Sequence, residues 1–152
     1  MYIQWENGLE LGLDLIDAEH RMLMLLCRKL DVAIKSHQPH ETVRLVALEV
    51  KRFTAFHFFS EENVMREIGY PELDEHVWQH TELMMRLNAV MTRINNREEQ
   101  AYDFLALLYY WLRSHLVEHD AKIAAYAVDC QLRPIAADYY RPFLANWLGA
   151  AA

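Results

Sequence analysis

HFFSEENVMREIGYPELDEHVWQH, residues 57–80, is the stretch that fixes the architecture. It holds four side chains that can bind a metal, in two pairs: His57 with Glu61, and His76 with His80. Each pair is four residues apart, the interval that stacks side chains on one face of a helix. Between the pairs stands Gly69-Tyr70-Pro71, and glycine followed by proline ends a helix. The spacing predicts two helices joined by a short turn, each aiming two ligands into the space between them. Phe53, Phe56, Phe58 and Phe59 surround the first pair. A histidine and a glutamate among phenylalanines face desolvation, which a bound cation relieves.

The flanking sequence extends the helical pattern. Leu13, Ile16, Leu23, Leu26, Leu30 and Ile34 recur at three- and four-residue steps, which predicts a helix from Leu13 to about Lys35. Ser36 to His40 interrupts it around Pro39. A second helix is expected from Glu41 to about Glu67, with Val43, Val46, Val50, Phe53 and Phe56 on one side. A third runs from about Glu72 to Ile94 and a fourth from about Glu98 to Val128, with Phe104, Leu108, Trp111, Leu112 and Leu116 in its core face. Four long helices with short joints imply an all-α, up-down-up-down antiparallel four-helix bundle. Residues 1–129 are expected to form it. Residues 130–152, rich in aromatics and holding two prolines, are expected to be an extension: a short helix or strap packing on the bundle, open to self-association or a protein partner.

Composition narrows the function. The chain has 152 residues, one domain's worth, and a formal net charge of −7. An acidic surface argues against nucleic acid as a partner. No apolar run is long enough for a membrane span, and no signal peptide is visible. Cys27 and Cys130 stand alone without a CxxC, so both are expected to be free thiols in a reducing cytoplasm. Eight histidines are many for this length. His37 and His40 flank Pro39 in a polar loop and are expected to be solvated.

His20 lies one helical turn after Ile16 in the first helix, and the fourth helix offers His115, His119 and Asp120. Spacing favours His115 with His119. His115 and Asp120 are five apart, about 140° around an α-helix axis, although a bridging carboxylate can approach from another angle. His20, His57, Glu61, His76, His80, His115 and Asp120 are too many ligands for one tetrahedral zinc and suit two metals sharing carboxylates. Imidazole with carboxylate fits iron, and also manganese, zinc or copper. A site dominated by neutral imidazole supports high-valent iron less well than a glutamate-rich one, and so leans towards binding dioxygen and releasing it.

These residues carry a family resemblance. IDAEH, HFFSEENVM, the GYP turn, HVWQH and WLRSHLVEHD make the chain similar, over roughly residues 5–126, to the hemerythrins, most closely the single-domain bacterial ones. The resemblance implies two iron ions with an oxo or hydroxo bridge. It selects Asp120 over His119, assigns His76, His80 and His115 to one iron and His20 and His57 to the other, and makes Glu61 and Asp120 bridges. Phe58, Trp111, Leu112 and Leu116 match positions that line the family's oxygen pocket. The implied function is reversible dioxygen binding for storage, delivery or buffering, without catalysis. An oxygen or redox sensor, or a di-iron enzyme with peroxidase-like or nitric-oxide-handling activity, is the alternative. Glu19 departs from the pattern, since the family often has glutamine before this histidine.

Overall fold

The computed structural model describes residues 9–98 and 100–130. They form α1 (Asp14–Lys35), α2 (His40–Ile68), α3 (Leu73–Asn95) and α4 (Ala101–His115), followed by a π turn (Leu116–Asp120) and α5 (Ala121–Asp129), which continues the line of α4. Each helix packs on its chain neighbours, and α1 also packs on α4, which closes the square of a four-helix bundle. The expected architecture holds. The expected extension lies outside the described residues except for Cys130, and so does Trp5.

The turn at Gly69 ends α2 as the sequence predicted. Gly69 adopts φ +66°, and Tyr70 N–H bonds back to Met65 O at 2.9 Å, satisfying a carbonyl the helix leaves open. His37 (φ 51°) and Arg97 (φ 62°) close α1 and α3 in the same way without glycine. A Cβ built on Gly69 meets nothing within 4 Å, so Gly69→Ala carries only the backbone cost of a left-handed residue, about 1 kcal/mol. Urea unfolding should show an unfolding free energy lowered by that amount, with metal content unchanged.

Two apolar clusters fill the bundle. The larger joins Leu23, Leu30, Val50, Leu83, Leu87, Phe104 and Leu108 with their neighbours. The smaller sits beside the Gly69 turn and joins Met65, Ile68, Tyr70, Ile123 and Ala127. Cys27 belongs to the larger cluster, where burial pushes its thiol up to about 12 and so keeps it protonated and unreactive. Cys130 is exposed, and both cysteines are free. Before α1, the backbone N–H groups of Leu11 and Gly12 donate to the buried Asp17 carboxyl, at 2.8 and 2.9 Å. No described helix is long and apolar enough to cross a membrane.

Three expectations are corrected. Phe56 and Phe59 are 55% and 62% exposed, so they do not wall in His57. The inward line of α2 runs through Thr54, His57 and Glu61. Polar residues occupy those core positions, and a count of apolar residues drifts onto the adjacent face. His40 is not a solvated loop residue: it begins α2, and its Nε2 lies 3.1 Å from Ile94 O. The fourth helix is not one continuous α-helix, because the π turn divides it.

Candidate metal centre

Seven polar side chains meet between the two apolar clusters. α1 supplies His20, α2 His57 and Glu61, α3 His76 and His80, α4 His115, and the π turn Asp120. None is more than 4% exposed. Seven buried polar groups in one place are a heavy desolvation cost unless something binds them.

Their contacts define two histidine sets. His76, His80 and His115 gather with Glu61, while His20 and His57 gather with the same Glu61, ligand atoms lying within 4.8 Å of one another in each group. Glu61 Oε2 lies 3.3 Å from His76 Nε2 and 3.2 Å from His80 Nε2. Its Oε1 is buried with no hydrogen-bond partner among the described residues. Asp120 divides its two oxygens: Oδ1 faces His115 Nε2 at 3.1 Å and His76 Nε2 at 3.3 Å, while Oδ2 faces His20 Nε2 at 3.3 Å. Both carboxylates therefore lie between the sets.

The spacing has a metal's scale. His76 Nε2 and His115 Nε2 are 3.0 Å apart. Octahedral metals with bonds of about 2.1 Å place neighbouring ligand atoms about 3.0 Å apart. The 3.0–3.3 Å separations here are those of the edges of such a polyhedron.

The π turn puts Asp120 in place. Ala121 N–H bonds to Leu116 O, five residues back. A turn of this kind holds one residue more than an α turn and shifts the phase of all that follows. Residues five apart, which diverge on an α-helix, come onto one side. His119 instead stacks on the His115 ring, with centroids 5.0 Å apart and planes 24° apart. Asp120 lies within 3.3 Å of His20, His76 and His115.

Charge is coupled across the cluster. Burial pulls His76 down, but Asp120 and Glu61 outweigh it and raise its pKa to about 9. Burial likewise opposes His57, and Glu19 and Glu61 still raise it. Burial prevails at His115, which is lowered. Burial pushes both carboxyls up, yet the histidines around them hold Glu61 and Asp120 below their ordinary values.

The signs give a pH window for the metal-free protein. The raised histidines stabilise the fold fully below 6.5, their ordinary value, and lose this as pH rises, through about 9 for His76. The depressed carboxyls contribute above 4.5 and 3.8, their ordinary values, and lose this as pH falls. His115 works against the other histidines below 6.5. Metal-free protein should resist urea best between about pH 4.5 and 6.5, as a titration of unfolding midpoints in chelator would show. A midpoint still rising at pH 9 would contradict this charge arrangement.

Two further acids touch the histidines. His57 Nδ1 lies 3.1 Å from Glu19 Oε2, and Ser60 Oγ donates to Glu19 Oε1 at 2.8 Å. His80 Nδ1 lies 3.2 Å from Glu62 Oε1, and Arg66 donates to Glu62 Oε2 at 3.2 Å. These contacts leave the Nε2 atoms of His57 and His80 to face inward. Sequence reasoning marked Glu19 as a departure but not as His57's partner, and it missed Glu62. The available signal was position: Glu19 adjoins His20, and Glu62 adjoins Glu61.

The expected pocket residues are all close packed. Phe58 stacks on His80, with centroids 3.8 Å apart and planes 2° apart, and Trp111 stacks on His115 at 4.0 Å and 16°. Phe58 and Trp111 meet at 5.4 Å. Leu112 and Leu116 are buried on α4 and at the start of the π turn.

The model of the hemerythrin HHE cation-binding domain matches residues 11–127, from before α1 into α5, with every residue of the cluster. The chain belongs to the hemerythrin family. A bacteriohemerythrin of Stenotrophomonas maltophilia is 30% identical over 145 residues, covering 95% of this chain and 92% of that protein. One from Clostridium acetobutylicum is 26% identical over 121 residues, 76% and 94% of the two chains. One from Pseudomonas aeruginosa is 26% identical over 120 residues, 79% and 78%. No solved structure matches. This hemerythrin domain is a non-haem di-iron, dioxygen-binding domain. The donors fit an iron pair: five imidazoles, two carboxylates facing both histidine sets, and a buried carboxylate oxygen with no hydrogen-bond partner among the described residues.

Proposed function

We propose that this hemerythrin binds dioxygen reversibly, to store, deliver or buffer it, and that it is not an enzyme. The observation that carries the proposal is the unequal division of histidines about two shared carboxylates. His76, His80 and His115 would hold one iron and His20 and His57 the other, with Glu61 and Asp120 shared between them, and the pair would carry an oxo or hydroxo group. The side with two histidines would hold its iron with fewer protein ligands, which would leave that side to take dioxygen. The iron pair, when bound, supplies the electrons with which dioxygen is held.

The protein's part is to orient and to exclude water. Glu19 and Glu62 hold His57 and His80 with Nε2 turned inward. Phe58 and Trp111 cover the flat faces of His80 and His115, and with Leu112 and Leu116 they keep the pocket dry. A dry pocket withholds the protons and water that would release the ligand in reduced form.

The domain is assigned to residues 1–129. Residues 130–152 are assigned as an appended segment for a second copy or a protein partner, and the free thiols support a cytoplasmic location. The test of a binder against an enzyme is consumption. With excess reductant under air, the iron-loaded protein should take up reductant once per iron pair and stop. Sustained consumption would move the assignment to a di-iron oxidase or peroxidase.

A further inference from the structure

We infer that Glu19 is a positioning residue that raises the electron density reaching the iron on the His20/His57 side, and does so more strongly than Glu62 does on the other side. The inference rests on the iron assignment just given. Glu19 is 6% exposed and uses both oxygens: Oε1 accepts from Ser60 Oγ at 2.8 Å and Oε2 meets His57 Nδ1 at 3.1 Å. A carboxylate can only accept, so the His57 proton sits on Nδ1 and Nε2 is left to coordinate. A carboxylate behind a ligand imidazole also fixes the ring and raises its basicity, and more electron density reaches the metal.

The other side has a weaker version of the same device. Glu62 meets His80 Nδ1 at 3.2 Å, but its second oxygen is taken by the Arg66 guanidinium at 3.2 Å. A cation there offsets the negative charge, and the Glu62 side chain is 15% exposed where that of Glu19 is 7%. Glu19 is held by a neutral hydroxyl in a drier place. Its charge is therefore less screened and acts more fully on His57. The asymmetry favours electron release on the side assigned to dioxygen.

The test compares Glu19→Gln, Glu19→Ala and Glu62→Gln with the parent protein. Glutamine keeps the shape and an acceptor oxygen but removes the charge. Glu19→Gln should keep two irons per chain and raise the reduction potential measured by spectroelectrochemistry, and Glu62→Gln should raise it less. Glu19→Ala should lower metal affinity about 10- to 100-fold in competition with a chelator. Nitrogen NMR of the zinc-loaded protein should place the His57 proton on Nδ1 and lose that signature in Glu19→Ala. Helix content by circular dichroism checks that each variant is folded, and if Glu19→Ala is not, Glu19→Gln carries the test. Equal potentials in Glu19→Gln and the parent, or a larger shift from Glu62→Gln, would overturn the inference. If the parent itself fails to take up two irons, the iron assignment fails first and for a separate reason.

Discussion

Asp120→Ala should abolish the paired iron site, lowering affinity by more than the roughly 100-fold that loss of an outer ligand partner costs. Asp120 faces both histidine sets, Oδ2 toward His20 and Oδ1 toward His76 and His115, so one substitution strikes both metals. Glu61 alone then joins the sets. In the metal-free fold the same change strands three buried histidines, at a cost of about 3 kcal/mol. Asp120→Asn separates the two effects. It keeps the volume and hydrogen-bonding shape, so it should fold better than Asp120→Ala and still load iron poorly. Iron counted per chain after anaerobic reconstitution, beside the unfolding midpoint of each variant, checks both. Full iron in Asp120→Ala would contradict the placement of this carboxylate between two metals.

Removing iron from the intact protein should lower Tm by about 10 °C. A ligand held a thousandfold above its dissociation constant stabilises the folded state by about 4 kcal/mol, and a domain of this size shifts by about 2–4 °C per kcal/mol. The structural reason lies in the middle of the bundle. His76 and His115 hold their Nε2 atoms 3.0 Å apart, and Glu61 Oε1 is buried with no hydrogen-bond partner among the described residues, an arrangement that a bound cation would stabilise. The apolar clusters on either side still hold the four helices together, so the metal-free protein should unfold cooperatively and keep its helix content until it does. Calorimetry of iron-loaded and chelated protein makes the comparison. Equal melting temperatures would mean that these groups satisfy one another and gain nothing from metal.

The sequence carried much of this because four-residue spacing survives folding on an α-helix. His57 with Glu61 and His76 with His80 needed only that the helices form and face each other, and Gly69 announced the turn that makes them do so. Asp120 was another matter. Its distance from His115 reads as a mismatch until the π turn is known, and no residue type in Leu116–Asp120 advertises an added residue in the turn. Contacts between helices were also hidden. Glu19 reaches His57 across 38 residues of sequence, a pairing set by how α1 and α2 pack. Phe56 misled because the core line of α2 is polar where it carries ligands, so hydrophobic periodicity pointed to the wrong face there.

The most direct measurement is the visible spectrum of reconstituted protein with its iron counted, reduced anaerobically, then taken through cycles of oxygen admission and removal. A reversible dioxygen site predicts two irons per chain and a ligand-to-metal band that appears with oxygen and disappears without it, cycle after cycle. Two irons with a band that forms once and never reverses, or a chain that binds fewer than two irons, would contradict it.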